Sequence, residues 1–330
     1  MLSFHSNNVN NHSFLVTGGS GFIGSNIVDY LLKHNAGRVV VLDDLSTGSM
    51  RNLSPFTDKN NFHFINGDIR NADVCRKSCE GIDFVLHQAA LGSVPRSISD
   101  PLNTHAVNST GFLNMIIAAR DAKVKRFVYA SSSSVYGDHP GLPKKEEQTG
   151  NPLSPYAVSK KTNELYARVF AETYKMEIIG LRYFNVFGPN QSPDGPYAAV
   201  IPLFMQNLLE NKAPFIDGDG EQSRDFTYVE NAVQANIRAL FTSNPEALNR
   251  IYNVAVGERI TVNELFNEIA RLLNSEVKPV YRNARPGDVR DSLADISAAK
   301  KFLGYEPTIR MKEGLAYTMD WFRQSIIKTI

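Results

Sequence analysis

The sequence predicts an α/β fold, a doubly wound parallel sheet followed by a smaller C-terminal α/β domain. Short β-branched runs alternate with longer helical patterns through the first half. A glycine-rich turn joins the first run to the first helix, and after residue 185 the texture shifts to loops rich in Pro, Gly and Asn. At 330 residues the chain fits one large domain or two modest ones. Its 42% hydrophobic and 21% charged residues are ordinary globular values.

In chain order, "SFLVTGG" reads as a strand running into a turn and "SNIVDYLLKHN" as an amphipathic helix. "RVVVLDD", "HFINGD", "DFVLHQAA" and "RFVYASSSS" read as four further strands, with the helix "FLNMIIAARDAK" between the last two. "PYAVSKKTNELYARVFAETY" is a long helix and "EIIGLRYF" another strand. Continuous apolar strands separated by helices imply a parallel sheet covered on both faces. Such a sheet binds ligands at the carboxyl ends of its strands. "NVFGPNQSPDGPYAAVIP" then reads as a long functional loop or a domain crossing. We expect a first domain over residues 1–185 and a second over 186–330, with "RDFTYV" and "IYNVAV" as segments that could return to the first.

The net charge of +1 gives no field to recruit nucleic acid or an anionic membrane. No stretch approaches the ~18–20 apolar residues of a membrane span, and the N-terminus lacks a signal-peptide pattern. Cys75 and Cys79 read as free thiols on a helix, and the seven histidines show no ligand spacing, so no metal is expected. These features predict a cytoplasmic protein.

"VTGGSGFIGS" carries glycines at 18, 21 and 24, while 19, 21 and 24 fit Gly-x-Gly-x-x-Gly. With a strand before it and a helix after it, this is a dinucleotide-binding turn of Rossmann type. Asp43, ending the second strand, is placed to bond the adenine ribose and would repel a 2′-phosphate, so NAD is expected; Asp44 is its rival. Asp68 is a candidate for the adenine edge or a helix N-cap.

"SPYAVSK" sets Tyr156 and Lys160 four apart on a helix. Alone the pair could be a plain amphipathic face. The topology, however, brings the end of "RFVYASSSS" beside it, so a serine, a phenol and an ammonium meet. Taking the phenol from its reference pKa of about 10 to about 7 requires ~4 kcal/mol of electrostatic stabilisation. Lys160 together with a positive nicotinamide could supply it, making Tyr156 a base.

"GGSGFIG", "SSSSVYG" and "YAVSK" in this order resemble the extended short-chain dehydrogenase/reductase family over nearly the whole chain. The resemblance implies Ser132, Tyr156 and Lys160 as the catalytic set. It implies cofactor contacts from Gly18, Gly21, Phe22, Ile23, Gly24, Asp43, Asp68, Ile69, Gln88, Ala89, Ala90, Tyr156, Lys160 and Tyr183. Dehydratases of this family carry Asp-Glu where Ser133 and Ser134 stand here, so dehydration is disfavoured.

"HQAALGSVPRS", "YGDHPGLPK", "LRYFNVFG", "GDGEQSRDF" and "RPGDVRDSLAD" are most similar to bacterial UDP-N-acetylglucosamine 4-epimerases of surface-polysaccharide pathways. The activity implied is 4-epimerisation with bound NAD through a transient 4-keto sugar, in a homodimer built through "FLNMIIAARDAK" or "ELYARVFAETY". Substrate contacts implied are Gly92, Ser93, Ser132, Ser133, Tyr156, Asn185, Ala199, Val200, Phe215, Arg224, Arg285, Asp288 and Ser292. Arg224 and Arg285 would clamp the diphosphate, although either could be a structural ion pair. Asp288 would bond the uridine ribose. Ser292, at a position often filled by tyrosine in enzymes restricted to unacetylated sugars, would admit a 2-acetamido group; it could equally be an exposed loop residue. The alternatives are a UDP-N-acetylglucosaminuronic acid 4-epimerase, UDP-glucose 4-epimerase activity as a side or main reaction, a nucleotide-sugar reductase or dehydrogenase, and a non-catalytic NAD-binding module.

Overall fold

The structure, a computed structural model, describes residues 3–5, 8–194, 198–284 and 290–327. The first half contains β1 (Ser13–Thr17), α1 (Phe22–Lys33), β2 (Arg38–Asp43), β3 (Phe62–Asn66), α2 (Ala72–Ser78), β4 (Phe84–His87) and the short helices α3 (Val94–Ser99) and α4 (Pro101–His105). A π-helical turn, Ala106–Thr110, leads into α5 (Gly111–Asp121), then β5 (Arg126–Ser132), α6 (Pro155–Tyr174) and β6 (Ile178–Tyr183). The second half holds β7 (Val186–Phe187), α7 (Val200–Leu209), β8 (Phe215–Asp217), β9 (Ser223–Arg224), β10 (Thr227–Tyr228) and α8 (Val229–Phe241). It closes with β11 (Ile251–Val254), β12 (Ile260–Thr261), α9 (Val262–Leu273), β13 (Val280–Arg282), α10 (Ser297–Leu303) and α11 (Met311–Ile327).

Seven strands form one parallel sheet in the order β11-β6-β5-β4-β1-β2-β3. Apart from the edge strand β3, where His63 and Asn66 are exposed, the strands are largely apolar because both faces are covered. Phe14 and Val16 of β1 pack with Ile27, Val28 and Leu31 of α1, in a core shared with α8 and α10. Leu15, on the other face, joins the core formed with Phe112, Met115 and Ile116 of α5 and with Ala167 and Phe170 of α6. The long helix α6 starts where Ser154 accepts a hydrogen bond from the Ala157 N–H and Pro155 opens the first turn; it stops at Lys175, whose φ of 57° is left-handed.

"IYNVAV" returns to the large sheet, since β11 pairs with β6. "RDFTYV" does not: its strand β10 pairs only with the two-residue β7. A separate core of Phe204 (α7), Ile216 (β8), Phe266 and Ile269 (α9), and Leu315 (α11) sits in the second half. Cys75 and Cys79 are free and buried, and burial pushes each thiol up to about 12, so both stay protonated near neutral pH. No helix among the described residues is long and apolar enough to cross a membrane.

The strand order reverses between β1 and β4: β2 and β3 lie on one side of them, β5 and β6 on the other. Loops leaving these two strands diverge and open a crevice at their carboxyl ends.

Candidate active site

A cavity of about 580 Å³ occupies this crevice. Its floor is the turn between β1 and α1, where the backbone crowds so closely that side chains are excluded. A Cβ on Gly24 would lie 2.1 Å from the Gly18 carbonyl oxygen, and one on Gly18, whose φ is +68°, would lie 2.6 Å from the Ala89 nitrogen. Gly21 caps α1 without a side-chain hydrogen bond, leaving the first N–H groups of the helix for an anionic ligand. Asp43 ends β2 beside this turn; its Oδ2 accepts from the Ser20 N–H and its Oδ1 from the Leu45 N–H, both at 2.9 Å. A carboxylate offers about four acceptor positions, so each oxygen can still accept from a ribose hydroxyl. These features fit the pyrophosphate and adenosine ribose of NAD.

The far side of the cavity is built from β5 and α6. Ser132 ends β5; its Oγ accepts from the Ser134 N–H at 3.2 Å and is hydrogen-bonded to the Tyr156 phenol. Lys160 is buried, with its ammonium donating to the Ala130 carbonyl at 2.8 Å and lying 6.0 Å from the centre of the Tyr156 ring. Burial pushes Lys160 down to about 8, opposed by the nearby Glu164 carboxylate. Burial raises the Tyr156 phenol above its ordinary value, while the hydrogen bond to Ser132 pulls the other way. Among the protein groups burial prevails, so the low phenol pKa expected from Lys160 together with a positive nicotinamide is not reached without that second cation.

The cavity wall brings together Gly18, Gly21, Phe22, Ile23, Gly24, Asp43, Ile69, Gln88, Ala89, Ala90, Gly92, Ser132, Ser133, Tyr156, Lys160, Tyr183, Asn185, Arg224 and Ser292. Tyr183 is set by its neighbours, donating to Gln88 at 3.0 Å and accepting from Asn236 at 2.7 Å. Asn185 holds the Asp225 carbonyl at 3.0 Å, while Arg224 donates to the Ser223 and Arg290 carbonyls. Ser292 is not an exposed loop residue; it is buried, with its N–H donating to the Ser223 carbonyl at 3.0 Å.

Other expected residues lie off this wall. Asp68 sits between the wall residues Gly67 and Ile69, but its carboxylate is engaged by Arg70 at 2.5 Å. Nor does it cap α2, a task taken by Asn71. Ser93 caps α3, Ala199 and Val200 open α7, and Phe215 is 56% exposed with the Arg282 guanidinium 5.0 Å above its ring. Arg285 and Asp288 fall outside the described residues.

Further side chains that no sequence motif singles out complete the surroundings of the site. Lys144, in "PGLPK", lines the cavity and donates its ammonium to the His139 carbonyl; nothing in its local pattern marks it. Asn108, in the π-helical turn, accepts from the Leu91 N–H at 2.8 Å and donates to Ser159 at 3.1 Å. Glu164 and Arg182 form a buried ion pair behind Lys160; the spacing of four from Lys160 to Glu164 was a usable signal. No cluster of His, Cys, Asp and Glu among the described residues could hold a metal.

The model of the NAD-dependent epimerase/dehydratase family matches residues 14–255. A solved structure of UDP-N-acetylglucosamine 4-epimerase from Methanobrevibacter ruminantium, in complex with UDP-N-acetylmuramic acid, is 41% identical, with a TM-score of 0.90 over 95% of this chain and 99% of its own. The UDP-glucose 4-epimerase of Thermus thermophilus in complex with NAD is 34% identical, with a TM-score of 0.85 over 94% of this chain and 99% of its own. A putative UDP-glucose 4-epimerase from Methanocaldococcus jannaschii is 38% identical over 94% of this chain and 98% of its own length. With a strand–turn–helix cradle shaped for NAD, a serine–tyrosine–lysine set facing it and these likenesses over nearly the full length, the chain belongs to the NAD-dependent epimerase/dehydratase family.

Proposed function

We propose that the protein is a UDP-sugar 4-epimerase that interconverts UDP-N-acetylglucosamine and UDP-N-acetylgalactosamine. The observation that carries the choice of epimerisation is the chemistry of the cavity wall. Among the described residues its only carboxylates are Asp43 and Asp44, at the end of β2, while Ser133 and Ser134 stand beside Ser132. Expelling a 6-hydroxyl as water needs an acid and a base there, and two serines supply neither. Taking the proton of the 4-hydroxyl oxygen and giving one back, while carbon 4 loses and regains a hydride, needs only one tuned acid–base group.

Bound NAD supplies reversible acceptance of a hydride from carbon 4, with no net redox change. Tyr156 takes the proton of the 4-hydroxyl and returns one once the sugar presents its other face. Ser132, bonded to the phenol, orients it, and Lys160 supplies a positive charge behind it. Arg224, with Arg285, is proposed to hold the diphosphate, and Asp288 the uridine ribose; the firm grip on UDP leaves the sugar free to turn. Ser292 supports the acetylated sugar because a small side chain on the buried wall leaves space for the 2-acetamido group.

Lys144 favours a second reading. A buried cation on the wall could meet a carboxylate at carbon 6 of the uronic acid analogue. Incubation with UDP-N-acetylglucosamine, without added cofactor, is expected to yield UDP-N-acetylgalactosamine and no net NADH. Turnover of the uronic acid alone would move the substrate, and turnover of neither would remove the assignment.

We also propose a homodimer through α6. Val158, Leu165, Tyr166 and Val169 are exposed along one face of this helix, with Ile98 of α3 and Leu102 of α4 also exposed, the last at 83%. The apolar stripe of α5, the other helix considered, faces the interior. Sedimentation equilibrium is expected to give twice the mass of the 36.7 kDa chain, with Leu165→Glu giving the monomer; a monomeric wild-type protein would refute the dimer.

A further inference from the structure

Glu164 lies one turn beyond Lys160 on α6 and is only 4% exposed. A carboxylate this deep needs strong partners. Its Oε1 accepts from the Ser131 hydroxyl at 2.7 Å and from Arg182 Nε at 2.8 Å, and its Oε2 accepts from Arg182 Nη2 at 2.9 Å. Ser131 and Arg182 are direct cross-strand partners on β5 and β6. Three successive residues of β5 are thus tied to three successive turns of α6: Ala130 to Lys160, Ser131 to Glu164, and Ser132 to Tyr156.

We propose that Glu164, clamped by Arg182, is a positioning residue for the proton transfer: it registers α6 against the end of β5 so that Ser132 meets Tyr156, and it sets a carboxylate one helical turn from the Lys160 ammonium. The proposal rests on the assignment of Tyr156 and Lys160 made above.

The surrounding charges give the effect a sign. Lys160 is faced by Tyr156 and Glu164 on its own helix and by His87 of β4, which burial holds near 3 and therefore neutral. Glu164 is faced by Arg182, by Lys161 at 3.9 Å and by the Tyr129 phenol, which burial keeps protonated. Arg182 is faced in turn by Tyr136 and by Glu146, whose carbonyl it bonds at 2.9 Å. Burial drives Lys160 toward its neutral form and the Glu164 charge resists this. Without that charge, Lys160 loses its proton at lower pH, and the alkaline limb of kcat moves acidward.

The test is kcat against pH for the wild-type protein, Glu164→Gln, Arg182→Met and the double variant, with folding followed by circular dichroism. In Glu164→Gln the alkaline limb should shift acidward by about one pH unit, with KM changed less than about twofold. The double variant removes both buried charges, so it remains usable where Glu164→Gln alone strands Arg182 and fails to fold; it should shift the same way. Arg182→Met breaks the same ion pair but keeps the carboxylate, so its limb should not move acidward. NMR titration of lysine-labelled protein, with the Lys160 signal assigned by its loss in Lys160→Met, should show the same ordering. It needs no substrate, so it tests Glu164 even where the wild-type protein turns over neither sugar, an outcome that would bear on the substrate assignment alone. Limbs and titrations that stay put in the two Glu164 variants, or an equal acidward shift in Arg182→Met, would overturn the proposal.

Discussion

Tyr156→Phe is expected to lower kcat about 10³-fold while leaving the fold and the bound NAD in place. The phenol is the side chain beside Ser132 and Lys160 able to carry the proton of the 4-hydroxyl. A serine hydroxyl is a far weaker base at neutral pH. The substitution keeps the ring and its packing. The lost hydrogen bond is to Ser132, whose Oγ still accepts from the Ser134 N–H, so the stability change is of order 1 kcal/mol. Product formation by chromatography and melting by circular dichroism measure the two effects separately. Activity within tenfold of wild type would place the base elsewhere. In the wild-type protein with NAD bound, the positive nicotinamide is needed to bring the raised phenol below Lys160. Its kcat should then rise with pH as the phenol ionises and fall as Lys160, pushed down to about 8 by burial, loses its charge.

Ser292→Tyr should separate acetylated from unacetylated sugars. Ser292 is buried on the wall, and its backbone is pinned to the Ser223 carbonyl, so a larger side chain there cannot swing out with the loop. A phenol ring would compete with the acetamido group for the same space, and overpacking costs ~1–3 kcal/mol. That corresponds to a fall of roughly fivefold to 150-fold in kcat/KM for UDP-N-acetylglucosamine. Turnover of UDP-glucose should change less than about threefold, since it lacks the group. Steady-state rates on both sugars decide the matter. Equal losses on both would mean that Ser292 does not face the 2-substituent.

Much of the fold is readable from short windows. The run "PYAVSKKTNELYARVFAETY" coincides with α6 because a serine cap stands just before it, and a proline in the first turn and an unbroken helical pattern lie inside it. The inner strands of the large sheet are apolar on both faces, so each stands out from its surroundings. The two-residue strands β7 and β10 have no such run; only their pairing makes them strands. The wall positions divide in the same way. Gly18, Gly21 and Gly24 are legible because strand, turn and helix are consecutive, and Tyr156 and Lys160 because one helical turn joins them. Ser93, Ala199, Val200 and Phe215 depended on resemblance, and the described structure puts them at helix starts or on an exposed strand, off the cavity wall.

By itself the sequence determined the alternation of strands and helices, the dinucleotide turn and the tyrosine–lysine pair, since each is written within a few residues and obeys a local geometric period. Only the tertiary structure decided which side chains share the cavity, that Glu164 and Arg182 lie behind Lys160, and how Tyr156 and Lys160 ionise. The physical reason is that burial and electrostatic field are sums over everything nearby in space. Much of what surrounds these groups comes from strands and helices far away along the chain.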